Sequence, residues 1–145
     1  MKQTQLNTKI VLLYLQLIVA SAAVFGSLYF SEVMKFAPCD LCWYQRLFLY
    51  PIVLICLTGF FINSKETSYY IAPFIWFGLA IATYHNLIYY KVIKVIIPCN
   101  ESSPCTLEHI NYFGFITIPF LSIMAFIALL IFNTASLRIE RKGNS

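Results

Sequence analysis

A chain of 145 residues that is 60% hydrophobic and 11% charged, with mean hydropathy +0.75, cannot hide its apolar surface in a water-soluble fold. A soluble domain carries about 25% charged residues, so lipid must be part of the solvent here. The net charge of +4 comes from basic residues scattered singly or in small groups, with no aromatic-interleaved basic stripe, which excludes a nucleic-acid surface.

Four apolar runs follow in chain order, at about 10–30, 41–62, 69–90 and 112–132. Each holds about 20 residues and, as a helix, spans roughly 30 Å of hydrocarbon. Pro51, Pro73 and Pro119 fall inside them, as membrane helices tolerate. The first run could be read as a cleavable signal peptide, with Lys2 and Lys9 ahead of it and Ala20-Ser21-Ala22 as the cleavage site. It continues through Val24, Phe25, Leu28, Tyr29 and Phe30, longer than a signal core of about 7 to 15 residues, which favours a retained anchor.

The connections at 31–38, 63–68 and 91–111 are short, so neighbouring spans are antiparallel. The expected fold is all-α and integral to the membrane: one four-span domain, an up-down four-helix transmembrane bundle. Lys2, Lys9, Lys65, Arg138, Arg141 and Lys142 flank one side, and Lys35, Arg46, Lys91 and Lys94 the other. The positive-inside rule puts both termini in the cytoplasm, more clearly if Arg46 belongs within the membrane. The cysteine-bearing loops then face the oxidising outer compartment, where disulfides persist.

Five cysteines invite a redox or metal reading. Cys56 is alone in an apolar run and reads as a small buried hydrophobe. The other four form two close pairs. The first lies in Pro38-Cys39-Asp40-Leu41-Cys42-Trp43-Tyr44-Gln45-Arg46, where Pro38 suits the first turn of a helix. Cys39 and Cys42 would share one face of that turn, where the helix N-terminus and a nearby cation both favour the reactive thiolate. Arg46, one turn below Cys42, is that cation; an arginine at this depth is a functional hypothesis, with snorkelling to the interface as the plainer alternative. CxxC is also a zinc half-site, while Trp43 excludes the CxxCH haem pattern.

The second pair lies in Pro98-Cys99-Asn100-Glu101-Ser102-Ser103-Pro104-Cys105, a tight polar turn that a disulfide could close, either as a reactive bond or as a loop staple. His85 and Arg46 each lie about five residues from the outer ends of their spans, roughly 7 Å deep. At that depth His85 can carry a proton, or serve in an interhelical hydrogen bond with Asn86 nearby. Tyr29, Tyr44, Tyr50, Tyr89, Tyr90, Tyr112 and Trp43 read as an aromatic belt.

The chain resembles the DsbB/BdbC family of membrane thiol-disulfide oxidoreductases, nearest its short Gram-positive BdbC branch. The resemblance covers nearly the whole chain. It rests on Gly26-Ser27-Leu28-Tyr29-Phe30-Ser31-Glu32, the CxxCWYQR stretch, His85, the second cysteine pair, and Asn111-Tyr112-Phe113-Gly114-Phe115-Ile116-Thr117-Ile118-Pro119-Phe120. It implies redox-active disulfides Cys39–Cys42 and Cys99–Cys105 and a quinone cofactor, ubiquinone or menaquinone. It also implies a partner, an extracytoplasmic thioredoxin-like thiol oxidase of the DsbA/BdbD type. Cys42 would be the quinone-side thiolate and Cys39 would exchange with the loop pair through Cys105. Cys99 would take the mixed disulfide with the partner, and Arg46 and His85 would support the quinone. Gln45 stands where some relatives carry an acidic residue. The loop pair is closer together than in longer members, which leaves open which loop cysteine meets which partner.

Two other readings compete. A quinone reductase of the vitamin K epoxide reductase type also uses four spans and cysteine pairs, but there the loop pair precedes the membrane CxxC. A metal-binding or structural membrane protein would use the four cysteines as ligands. His109 is the one histidine outside the spans, so no metal is expected.

Overall fold

The computed structural model describes residues 2–35, 40–62, 66–90, 92 and 118–144. These form four helices: α1 (Lys2–Leu28), α2 (Asp40–Ile62), α3 (Thr67–Tyr89) and α4 (Ile118–Asn144). All four are long and apolar enough to cross a membrane. In lipid a spanning segment must satisfy its own backbone, and unbroken helices of 23 and 27 residues do so. Pro51 and Pro73 lie within α2 and α3 without ending them.

Helix α1 ends in a π-helical turn, Tyr29–Val33. The Met34 N–H reaches back to the Tyr29 carbonyl at 3.2 Å, and the Ser31 hydroxyl donates to the Ser27 and Leu28 carbonyls. Lys35, at φ 54°, then takes the left-handed conformation that commonly follows a helix end. The wider turn is a local feature that hydropathy does not reveal.

The observed spans depart from the apolar runs chiefly in α4. Apolarity alone predicts a span at 112–132, whereas the span-capable stretch is Pro119–Arg141, inside a helix that continues to Asn144. Residues 112–117 lie outside the described residues. The helix outlasts its apolar run because Ser136 and Glu140 have partners within the bundle, described below.

Helix α1 packs against α2 and α4, and α3 packs against the same two. The side-chain contacts fix an antiparallel sense between neighbours. Arg46, early in α2, meets Ser27, late in α1; Ser68, early in α3, meets Ser136, late in α4; and Lys9, early in α1, meets Glu140, late in α4. Leu13, Ala20, Leu49, Ile52, Cys56, Ile71, Ile75, Ala82, Phe126 and Leu129 form the core. Cys56 is buried there, the small apolar role its sequence context suggests.

Two glycines set the helix spacing. A Cβ on Gly59 would collide with the Thr67 side chain, and one on Gly78 with the Phe126 ring. With lipid outside, close packing rather than a hydrophobic drive holds helices together, and small residues allow it.

The end of the bundle remote from Cys42 is held by polar contacts. Ser68 donates to Ser136 at 2.8 Å, and Lys9 Nζ lies 2.7 Å from Glu140 Oε1. Seven residues further along each helix, at the same level of the α1–α4 seam, sit Gln16 and Asn133, 0% and 1% exposed. Both ends of the Gln16 amide, and Asn133 Oδ1, lack a hydrogen-bond partner among the described residues.

Candidate redox site at one end of the bundle

Helix α2 begins at Asp40, so Cys42 lies in its first turn and Arg46 one turn below. Cys42 is half-buried and packs against the buried pair Leu41 and Ile88, together with Ile81 and Tyr84 of α3. Cys39, Cys99 and Cys105 lie outside the described residues.

Arg46 is 4% exposed. Its guanidinium turns onto the end of α1. Nε donates to Ser27 Oγ at 2.7 Å, and Nη2 donates to the Ser27 carbonyl at 2.7 Å and to Ser31 Oγ at 2.9 Å. The π-helical turn contains Ser31, and its hydroxyl is tied to the same two turns of α1. The Trp43 ring lies 5.4 Å from the guanidinium carbon, a cation–π contact in addition to any place in an aromatic belt. Every polar acceptor these contacts give Arg46 is a neutral oxygen. Among the described residues, no carboxylate is within ion-pair distance of it. Neutral acceptors orient a buried cation without cancelling its charge, so the positive field stays available to an anion.

On the other side of α2, Gln45 reaches into the bundle. Its Nε2 lies 3.1 Å from His85 Nδ1 on α3, and its Oε1 accepts the Ser122 hydroxyl of α4 at 2.7 Å. Asn86 Nδ2 donates to the Ala82 carbonyl on its own helix and across to the Pro119 carbonyl at 2.8 Å. The interhelical hydrogen bonds weighed for His85 and Asn86 are thus present, made to different partners. Hydropathy and motif spacing single out Arg46 and His85 but miss Gln45, Ser27, Ser31 and Ser122 as their supports. The available signal was polarity itself, since Ser122 is an isolated polar residue in an apolar run and Gln45 stands beside Arg46 at the start of one, where a polar group needs a partner.

One end of the bundle therefore holds a half-buried thiol, a buried cation without a counter-ion among the described residues, and a histidine linked through Gln45 to two other helices. That is a constellation for handling negative charge and protons beside a sulfur.

Residues 9–136 match the family model described as "Disulfide bond formation protein DsbB". The chain belongs to the DsbB family. It is 46% identical over 129 residues to "Disulfide bond formation protein C" of Bacillus subtilis, covering 88% of this chain and 93% of that protein. It is 42% identical over 113 residues to "Probable disulfide formation protein C 2" of Bacillus cereus, covering 78% and 81%. To a "Probable disulfide formation protein" of Oceanobacillus iheyensis it is 40% identical over 131 residues, covering 88% and 89%. No solved structure matches the chain.

As a DsbB-family member the protein is a disulfide-generating thiol oxidoreductase with four helices able to span the membrane. Membership decides for disulfide generation over the metal-binding and vitamin K epoxide reductase readings.

Proposed function

We propose that this protein reoxidises an extracytoplasmic thioredoxin-like thiol oxidase of the DsbA/BdbD type and passes the electrons to a membrane quinone, ubiquinone or menaquinone. Arg46 carries the reading: a guanidinium held inside the bundle by Ser27 and Ser31, one turn below Cys42, with its charge uncompensated among the described residues. A quinone fits such a place, because its oxygens gain negative charge on reduction and need a directed donor.

The exchange runs inward. A partner thiolate attacks the Cys99–Cys105 disulfide, at Cys99 in the family pattern. Resolution of the mixed disulfide releases oxidised partner and leaves the loop pair as a dithiol. Cys105 then attacks the Cys39–Cys42 disulfide, which restores the loop disulfide and leaves Cys39 and Cys42 reduced. Arg46 and His85 would help hold a quinone at this end of the bundle, and the quinone would supply the two-electron, two-proton acceptor that returns this pair to the disulfide. Cys42 lies in the first turn of α2 with Arg46 one turn below it, and His85 lies at the same end of the bundle. The direction is downhill when the acceptor lies above the partner's potential, with 30 mV worth about 1.4 kcal/mol for a two-electron couple.

Both termini lie in the cytoplasm of a bacterial cell, and both cysteine pairs lie outside its plasma membrane. The basic flanks support this. With Arg46 buried in the bundle, Lys2, Lys9, Lys65, Arg138, Arg141 and Lys142 outnumber Lys35, Lys91 and Lys94. The Lys9–Glu140 pair also joins the start of α1 to the end of α4 at one face.

The deciding experiment mixes purified protein, a soluble quinone analogue and a reduced thioredoxin-like oxidase. One quinone is expected to be consumed for each partner dithiol lost. Partner oxidation that ignores quinone, or quinone loss without partner oxidation, would overturn the reading.

A further inference from the structure

We propose that Gln45 is a positioning residue: anchored by Ser122, its amide holds His85 as the neutral imidazole with its proton on Nε2.

A glutamine amide has one accepting end and one donating end. Ser122 Oγ donates to Gln45 Oε1 at 2.7 Å, so the carbonyl end of the amide faces Ser122. That fixes the amide's direction and turns its NH2 towards His85, 3.1 Å from Nδ1. A donor there needs a lone pair opposite it, so Nδ1 accepts. A neutral imidazole whose Nδ1 accepts carries its only hydrogen on Nε2.

The same contact selects against the other two forms of the ring. The Nδ1–H tautomer would point a donor at a donor, and so would the doubly protonated cation. The described charged groups on the packed elements are Asp40 and Arg46 of α2, while α4 carries none before Arg138. Gln45 and Ser122 are buried and part-buried, so water does not readily replace either bond.

A glutamate at position 45 would do the reverse. An ionised carboxylate only accepts, so it would keep a proton on Nδ1, and in the neutral ring Nε2 would then be an acceptor. Residue 45 thereby decides whether Nε2 donates or accepts. In this chain Nε2 is a donor, suited to a hydrogen bond with a quinone carbonyl oxygen. That consequence rests on the quinone reading; the tautomer does not.

The test is nitrogen NMR of full-length protein labelled with 15N-histidine, without quinone or partner. The chain has two histidines, and a His109→Asn variant assigns the other signal set to His85. Wild type is expected to show His85 with Nδ1 unprotonated and Nε2 protonated. Gln45→Leu should give a mixture of tautomers, and Gln45→Glu, which keeps size and polarity, should move the proton to Nδ1. A protonated Nδ1 in wild type, or a Gln45→Glu spectrum identical to wild type, would overturn the proposal. In turnover assays both variants should raise the quinone KM about tenfold, the loss of one hydrogen bond, and leave the partner KM unchanged. An altered tautomer with an unchanged quinone KM would overturn the quinone contact alone.

Discussion

Arg46 and Ser27 are joined twice: the guanidinium Nε meets the serine hydroxyl and Nη2 meets the serine carbonyl, both at 2.7 Å. Two bonds from one planar group to one residue fix its orientation, which a lysine ammonium on a flexible stem cannot reproduce. Snorkelling to an interface needs only a long cationic chain. Arg46→Lys is therefore expected to insert and fold, but to show weaker apparent quinone affinity at matched protein level; Arg46→Ala should be worse. Ser27→Ala keeps the carbonyl bond and loses the hydroxyl one, so it should be milder than either, costing about 1.5 kcal/mol in stability. Wild-type quinone dependence in both arginine variants would remove Arg46 from the site.

The two cysteine pairs should separate genetically. Cys99→Ser with Cys105→Ser is expected to leave the Cys39/Cys42 pair reactive with quinone while abolishing oxidation of the protein partner. Thiol titration of the purified variant and partner turnover read the two halves independently. Normal partner turnover in the double variant would reduce the loop disulfide to a staple.

Topology is read by a reporter active only in the cytoplasm. Fused after Ser145, or within 63–68, it should be active; fused after Pro98 it should be silent. Activity at Pro98 would reverse both the orientation and the compartment of the cysteines.

Much of this architecture was legible because lipid imposes a crude rule: a spanning segment must be long, apolar and helical. Four such helices were expected, and four are present among the described residues. The rule weakens where polar residues are paid for by partners, which is why α4 runs past its apolar stretch to Glu140, whose partner Lys9 is remote in sequence. Arg46 was legible from its i to i+4 relation to Cys42, but its acceptors depend on how α1 packs against α2. The direction of the Gln45 amide depends on a third helix, α4, and no local pattern encodes it.

Gly78 tests how closely α3 and α4 must approach. Its missing Cβ is replaced by the edge of the buried Phe126 ring, so Gly78→Ala forces that ring to move. Overpacking of this kind costs about 1–3 kcal/mol, and a lowered Tm in detergent is expected. Phe126→Leu in the same chain should recover part of the loss by making room; a silent Gly78→Ala would show that the helices can part without penalty.

The last prediction concerns the α1–α4 seam at Gln16. Its amide is fully buried, and neither its oxygen nor its nitrogen has a partner among the described residues. An unsatisfied buried polar group costs about 1–3 kcal/mol, whereas an apolar group of similar shape costs nothing comparable. Methionine matches glutamine in length and flexibility and fills irregular gaps well. Gln16→Met is therefore expected to raise stability by about 1 kcal/mol, read as an increase in Tm at matched detergent. Asn133, at the same level on α4, supplies the control. If the two amides were satisfied together, each single replacement would strand the other, and a double-mutant cycle with Asn133→Leu would show strong coupling. Independent, additive gains are expected instead. The site of thiol chemistry lies at the opposite end of the bundle, so partner turnover should not change. A fall in Tm with Gln16→Met, or strong coupling to Asn133→Leu, would show that the seam is a satisfied polar network rather than an unpartnered one.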